Sequence, residues 1–285
     1  MAEPIYFINN KFFPASKAYL PISDLSIMRG YGVFEFLITY NHQPFLLKEH
    51  LDRLSASAQT IDLELPKSLS EIERLVLKTL KKNLSKKEKA IRIIVTGGQS
   101  LPPAFTQAKG KSTLIITVDP KHQYPSACYK HGVKVITYEH TRQIPEAKTL
   151  NYLAAIKAQK QARRQGAIEA IYVFKGKITE STTSNFFVVI NNRIITPKSN
   201  ILLGVTRQKV LELAKPIAPI KERSINIKEI SAFQEAFITS SSKEIMPIVQ
   251  IDNQRIGRGK IVTPGPITQK LIAKFSAFIN KKSPI

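Results

Sequence analysis

The chain has little that could tie it together covalently or anchor it in a bilayer. It holds one cysteine, Cys128, in 285 residues. A single thiol excludes an intrachain disulfide and any cysteine-cluster metal site, and it suits a reducing compartment. No apolar stretch approaches the roughly 20 residues that a membrane span requires. The opening Met1-Ala2-Glu3-Pro4 lacks the basic segment and following apolar run of a secretory leader. The expectation is a soluble, cytoplasmic protein with no membrane partner. Acidic residues are also scarce, with 21 Asp and Glu against 43 Lys and Arg, a formal net charge of +22. That balance favours anionic partners such as nucleic acid, acidic lipid or phosphorylated small molecules. The densest basic run, from Lys78 to Lys89, falls on the polar face of a helical pattern and in the loop after it, and Lys281 and Lys282 add charge near the end. No aromatic residues interleave the run as a base-stacking platform would need, so nucleic-acid binding is not expected as the main function.

What is present is an ordinary globular composition, 43% hydrophobic with 12 glycines. The length suggests two domains. Asp119-Pro120-Lys121-His122-Gln123-Tyr124-Pro125 carries two prolines and no periodicity between strand patterns, which marks a boundary. The expected organisation is a small N-terminal domain over 1–118, a linker over 119–131 and a larger domain over 132–285. Hairpin signals stand at Asn9-Asn10, Asn191-Asn192 and Asp252-Asn253-Gln254. A strand from Val33 to Tyr40 is expected to pair back through Asn41 to Pro44 with Phe45-Leu46-Leu47. Helical spacing starts at Lys48, with Leu47, Leu51, Leu54 and Ala58 on one face, and again at Pro66. The 151–165 helix is alanine-rich and basic in its last turns, with Gly166 as its stop. Strands and helices mix in both halves, so the class is α/β or α+β.

Chemistry-bearing residues lie at the element ends. Lys148 sits on a junction between the proline-broken Ile144-Pro145 and the 151–165 helix. A strand pattern from Glu169 turns at Lys175-Gly176-Lys177 and delivers Glu180. A lysine and a carboxylate so placed are what imine chemistry on a pyridine cofactor needs, although the chain has many lysines that are simply solvated. Arg53 neighbours the apolar face of its helix, where it would either snorkel to solvent or bind a buried anion. Gly204-Val205-Thr206 opens a helix, with free amides, a hydroxyl and the helix dipole for an anion, and ordinary N-capping explains Thr206 as well. Ser240-Ser241-Ser242 forms a second cluster of hydroxyls and amides at a strand end. Arg29 precedes Gly30-Tyr31-Gly32, either a packed turn or a pocket-lining loop.

In order along the chain, Arg29-Gly30-Tyr31-Gly32-Val33-Phe34-Glu35, Glu49-His50-Leu51-Asp52-Arg53-Leu54, Lys148-Thr149-Leu150-Asn151, Ile178-Thr179-Glu180-Ser181 through Ser184-Asn185-Phe186, Gly204-Val205-Thr206-Arg207, and Thr239 to Pro247 form a set. That ordered set resembles the class IV aminotransferases, the fold-type IV pyridoxal-phosphate enzymes, which include branched-chain and D-amino-acid aminotransferases and aminodeoxychorismate lyase. The resemblance implies a homodimer of two-domain subunits with pyridoxal 5'-phosphate between the domains. Lys148 would be the imine-forming lysine and proton shuttle, and Glu180 would keep the pyridine nitrogen protonated. Arg53, Val205, Thr206 and Ser241 would hold the phosphate, and Tyr152 would touch the phenolic oxygen.

Substrate choice is where the chain departs from the subgroups. After Glu35 come Phe36-Leu37-Ile38 instead of the branched-chain Gly-Ile-Arg, and Ala90-Ile91-Arg92-Ile93 replaces their Tyr-x-Arg-Pro. The D-amino-acid enzymes' Arg-x-His trap has no counterpart in Leu101-Pro102-Pro103-Ala104-Phe105. An unpaired substrate carboxylate would be costly in a closed site. Arg29 or Arg92 is expected to bind it, with Tyr31 and the Ser242 amide assisting, unless Arg92 pairs with a carboxylate such as Glu35. The expected function is transamination between an amino acid and a 2-oxo acid, D-amino acids first, branched-chain L-amino acids second and the lyase third. A basic anion- or nucleic-acid-binding protein on the same fold is the non-enzyme alternative.

Overall fold

A computed structural model of the chain describes residues 3–103, 106–257 and 264–281. Ala104, Phe105 and Lys282, and the side chain of Lys281, lie outside the described residues. The chain divides into two units, one formed by Met1–His122 with Glu146–Asn151 and the other by Gln123–Pro145 with Tyr152–Ile285. Among the described residues, no helix is long and apolar enough to cross a membrane.

The first unit is built on β1 (Ile5–Ile8), β2 (Lys11–Pro14), α1 (Leu25–Arg29), β3 (Gly32–Tyr40), β4 (Gln43–Pro44), α2 (Leu47–Thr60), α3 (Leu69–Lys82), β5 (Lys89–Thr96) and β6 (Thr113–Pro120). Its six strands form one antiparallel sheet in the order β2-β1-β6-β5-β3-β4. Successive side chains on a strand point to opposite faces. Phe7, Val33, Leu37, Ile91, Ile93, Val95, Leu114, Ile116 and Val118 therefore all turn to the face covered by Leu51, Leu54, Ile72 and Val76 of α2 and α3. The even-numbered residues Phe36 and Arg92 turn to the other face.

Two boundaries differ from expectation here. The strand after β3 returns only over Gln43–Pro44, because Leu46 at a φ of 54° turns the chain directly into α2. The next helix starts at Leu69, not Pro66, where Ser68 and Glu71 form a reciprocal capping box.

The second unit contains α4 (Ser126–His131), β7 (Val133–Glu139), α5 (Leu153–Arg164), β8 (Glu169–Phe174), β9 (Lys177–Ser181), β10 (Asn185–Ile190), β11 (Arg193–Thr196), α6 (Val205–Ala214), β12 (Ile220–Glu222), β13 (Ile225–Asn226), β14 (Glu235–Ser240), β15 (Glu244–Ile251), β16 (Gln254–Arg255) and α7 (Pro266–Lys281). The sheet runs β12-β11-β10-β14-β15-β7-β8-β9-β13, and a further pairing of β9 with β10 closes six of these strands into a ring. β7 runs parallel to both β8 and β15, while β14 and β10 are antiparallel to their neighbours. A closed ring leaves fewer edges to protect. Val135, Ile171, Phe186, Val188, Ile238 and Met246 belong to the main core cluster of this unit. α5 packs Ala158 and Ala162 against Ile136 and Ala170.

The division between the units at His122 and Gln123 falls inside the linker expected over 119–131, but both ends of that stretch belong to regular elements. Asp119 and Pro120 end β6, and 126–131 is a helix. The chain also re-enters the first unit at 146–151 before α5, so the order of residues along the chain is not the order of the units.

Candidate functional site

In the first unit the chemistry gathers on α2 and β3. Glu35 is fully buried on the helix-facing side of β3. Arg53 donates Nε to its Oε1 and Nη2 to its Oε2, each at 2.7 Å, and His50 Nδ1 lies 2.7 Å from Oε2. His50, Arg53 and Ser57 stand at i, i+3 and i+7 on one stripe of α2. Burial acts to raise the Glu35 pKa, but the charge and hydrogen bonds of Arg53, with His50 beside it, bring it down to about 2. Burial keeps His50 below its ordinary value against the opposing pull of Glu35. Arg53 thus does not snorkel. The buried anion it binds within its own unit is Glu35, a partner the helical pattern alone could not supply.

Lys148 lies in the 146–151 segment, beside the start of β3. Its carbonyl accepts from Phe34 N at 2.9 Å, its amide donates to Ser57 Oγ at 3.1 Å, and Leu150 N donates to Gly32 O at 3.0 Å. Lys148 Nζ sits 4.4 Å from the Phe34 ring centroid. The backbone of this lysine is therefore held by bridging to β3 and to Ser57 of α2. A side chain at Gly32 would strike Val95 O at 2.6 Å and Leu150 at 2.7 Å, which is why this position carries glycine.

The carboxylate-binding candidates of this unit are dispersed. Arg29 is exposed at the end of α1 and donates to Met28 O at 2.7 Å. The Tyr31 hydroxyl is 3.0 Å from the carbonyl oxygens of both Ile61 and Asp62. Arg92 is opposite Phe36 in register, stacks over its ring at 5.1 Å and pairs with Asp119 at 3.5 Å. The alternative of an Arg92–Glu35 pair is therefore overturned, since the two residues are on opposite faces of the sheet.

In the second unit Glu180 and Asn185 are register partners at the ring closure. Glu180 Oε1 accepts from Arg142 Nη1 at 3.2 Å, and Oε2 accepts from Leu202 N at 3.0 Å. Asn185 Nδ2 donates to Leu202 O at 2.7 Å. A loop is thus strapped across the carboxylate and runs straight into α6. Gly204 is the N-cap of α6, and no side chain caps the helix. Capping therefore does not explain Thr206, which lies inside the first turn behind Val205. A Cβ at Gly204 would stand 2.1 Å from Asn185 Oδ1, so the close approach requires glycine.

Ser241 and Ser242 lie in the turn between β14 and β15, with Ser242 Oγ 3.4 Å from Ser240 Oγ. Tyr152 is the N-cap residue of α5. Thr239, paired with Asn185 across β10 and β14, keeps a buried hydroxyl with no hydrogen-bond partner, as does Ser181 next to Glu180. Buried polar groups normally find partners. Orphan hydroxyls, an uncapped helix N-terminus and a serine turn form a donor set that fits a phosphate, and the Glu180 carboxylate fits a ring nitrogen that carries a proton.

Sequence reasoning did not find Arg142, nor the strap through Leu202 and Asn185. Arg142 had no periodic context that distinguished it from the other arginines. Asn185 stood in a matching stretch but gave no sign of its partner 17 residues away.

The family model for the amino-transferase class IV proteins matches residues 32–251. A Methanocaldococcus jannaschii protein, provisionally named a branched-chain-amino-acid aminotransferase, is 33% identical over 278 residues, covering 94% of this chain and 94% of its own. The D-alanine aminotransferase of Bacillus licheniformis is 32% identical over 267 residues, covering 92% of this chain and 93% of its own. Among solved structures, the branched-chain aminotransferase of Thermoproteus uzoniensis with norvaline superposes with a TM-score of 0.88 at 28% identity, over 99% of this chain and 96% of that one. With the family matched over most of its length and such relatives across nearly all of it, this chain belongs to the class IV aminotransferases.

Proposed function

We propose that this aminotransferase passes the amino group of an apolar amino acid to a 2-oxo acid with pyridoxal 5'-phosphate as cofactor, and that its donors are branched-chain L-amino acids. The observation that carries the cofactor reading is the donor and acceptor set around Glu180 and α6. When bound, pyridoxal phosphate supplies an electron sink for the carbanion left at the substrate α-carbon. Lys148 Nζ would hold the cofactor and carry the α-proton. Glu180, held by Arg142 and the Leu202 amide, would keep the ring nitrogen protonated. Val205 and Thr206 at the start of α6, Ser241 in its turn, and Arg53 oriented by Glu35 would hold the phosphate. Tyr152 would meet the phenolic oxygen.

The branched-chain reading replaces the D-amino-acid preference. It is supported by the Methanocaldococcus relative and the norvaline-bound neighbour, and by the missing Arg-x-His pattern. The D-alanine enzymes of similar identity keep the D-amino-acid reading as the specific rival. Arg29 or Arg92 binds the substrate carboxylate, with Tyr31 and the Ser242 amide assisting. The protein works as a homodimer, a reading supported by Tyr19, Ile22 and Ile27, which are 78%, 80% and 54% exposed.

The test is a half-reaction panel. Holoprotein is mixed separately with L-leucine, L-valine, D-alanine and D-glutamate, and loss of the cofactor's visible band is followed. Bleaching by the branched L-amino acids alone is expected, and bleaching by D-amino acids alone reverses the donor reading. The same panel on Arg29→Ala and Arg92→Ala should show a raised half-saturation for the donor in at least one variant. No change in either would rule out both arginines.

A further inference from the structure

The turn that carries Ser241 and Ser242 is tied down by a lysine that the chemistry above leaves unused. Glu169, on β8, is fully buried. Its carboxylate accepts from Thr182 Oγ1 at 2.8 Å, Thr183 N at 2.5 Å, Thr183 Oγ1 at 2.7 Å and Ser184 Oγ at 2.9 Å. Facing it at 3.4 Å is Nζ of Lys243, a side chain only 5% exposed, which also donates to Thr183 Oγ1 at 2.8 Å. Lys243 is itself part of the β14–β15 turn, and its amide donates to Ser240 Oγ at 3.3 Å. A carboxylate has about four lone-pair sites, and neutral donors already reach Glu169 four times. Three of these donors fall on Oε1 and one on Oε2, the oxygen that the ammonium faces, and each buried charge is costly unless paired. What the pair adds is a constraint. The serine turn cannot shift against the loop of Thr182, Thr183 and Ser184 without parting a buried ion pair.

We propose that the Lys243–Glu169 pair is a positioning device for the phosphate end of the cofactor site, fixing the turn so that Ser241 meets the phosphate. This rests on the pyridoxal-phosphate reading given above. The device sits on the strand ends that carry the orphan hydroxyls of Ser181 and Thr239, so it sets the two loops that follow those hydroxyls. Its action is on phosphate recognition and not on the pyridine ring, which Glu180 serves.

The experiment titrates cofactor-free full-length protein with pyridoxal 5'-phosphate and, separately, with pyridoxal, which lacks the phosphate. The ratio of the two affinities reports what the phosphate contributes. Lys243→Met keeps the apolar stem and removes the charge. It should lower the affinity for pyridoxal phosphate by about tenfold or more, the scale on which supporting residues tune a bound metal, and leave pyridoxal binding close to wild type. Lys243→Arg, which keeps the charge, should restore much of the ratio. A folded Lys243→Met with the wild-type ratio, or with both affinities lowered equally, overturns the positioning role. Should that variant not fold, Glu169→Gln takes the same measurement, and a lowered or an unchanged ratio decides in the same way. A wild type that binds pyridoxal as tightly as pyridoxal phosphate overturns the phosphate assignments and this inference with them. A phosphate preference kept in full by Lys243→Met overturns this inference alone.

Discussion

Glu35 determines what Arg53 can do. Its carboxylate takes Nε and Nη2 of the guanidinium, which fixes the plane of the fork before any ligand arrives. Removing one member of a buried ion pair leaves the other uncompensated, typically at a cost of about 3–5 kcal/mol. Glu35→Gln should therefore lower unfolding stability by roughly that amount, read as a lower urea midpoint at neutral pH. The pH dependence has a definite sign. Glu35 is depressed from 4.5 to about 2, so its contribution is present above 4.5 and is lost as pH falls towards 2. His50 is depressed by burial from 6.5, so protonating it also opposes folding as pH falls below that value. Wild type should lose stability through this window, and Glu35→Gln should lose less of it. A variant as stable as wild type at neutral pH, with an unchanged acid profile, would contradict this. The sequence placed Arg53 beside an apolar face and left its partner open, because the partner lies 18 residues away on a strand. Arg92 shows the same limit. Its neighbour depends on which face of β5 is inward, and that is set by pairing with β3.

At the scale of elements, what was legible was local. Asn9, Lys175-Gly176 and Asn191-Asn192 take the positive φ that two-residue hairpin turns demand, and each turn falls where the sequence signals it. The 151–165 helix pattern corresponds to α5, which ends just before Gly166 at a φ of 68°. What was not legible was nonlocal. The closing contact between β9 and β10 is one residue pair, and nothing in either strand's alternation announces it. That contact nevertheless brings Glu180, Asn185 and the start of α6 together. Gly204 packs closely against it, since an added methyl meets Asn185 Oδ1. Gly204→Ala should displace Asn185, loosen the Leu202 strap from Glu180 and destabilise the protein by about 1–3 kcal/mol, the usual cost of overpacking. Thermal unfolding checks the stability, and titration with pyridoxal phosphate checks for weakened binding. A variant with wild-type melting temperature and affinity would show that the strap does not depend on this close approach.

At the scale of the whole molecule, the chain leaves the first unit after His122, returns for 146–151 and leaves again. Reading the sequence as two consecutive domains missed this return, because the six residues involved are too few to carry a periodicity. Lys148 sits in the returned segment, pinned by its own backbone to Phe34 and Ser57, whereas Glu180, Thr206 and Ser241 belong to the other unit. The net charge of +22 gives anionic cofactors and substrates a general attraction without choosing a lysine among 43 basic side chains. The most direct test of Lys148 as the imine-forming residue is to reduce the cofactor-loaded protein with borohydride and map the modified peptide by mass spectrometry. A single pyridoxyl adduct on Lys148 is expected, with loss of the visible band and no adduct in Lys148→Ala. A stoichiometric adduct on another lysine, or unaltered labelling of Lys148→Ala, would contradict it.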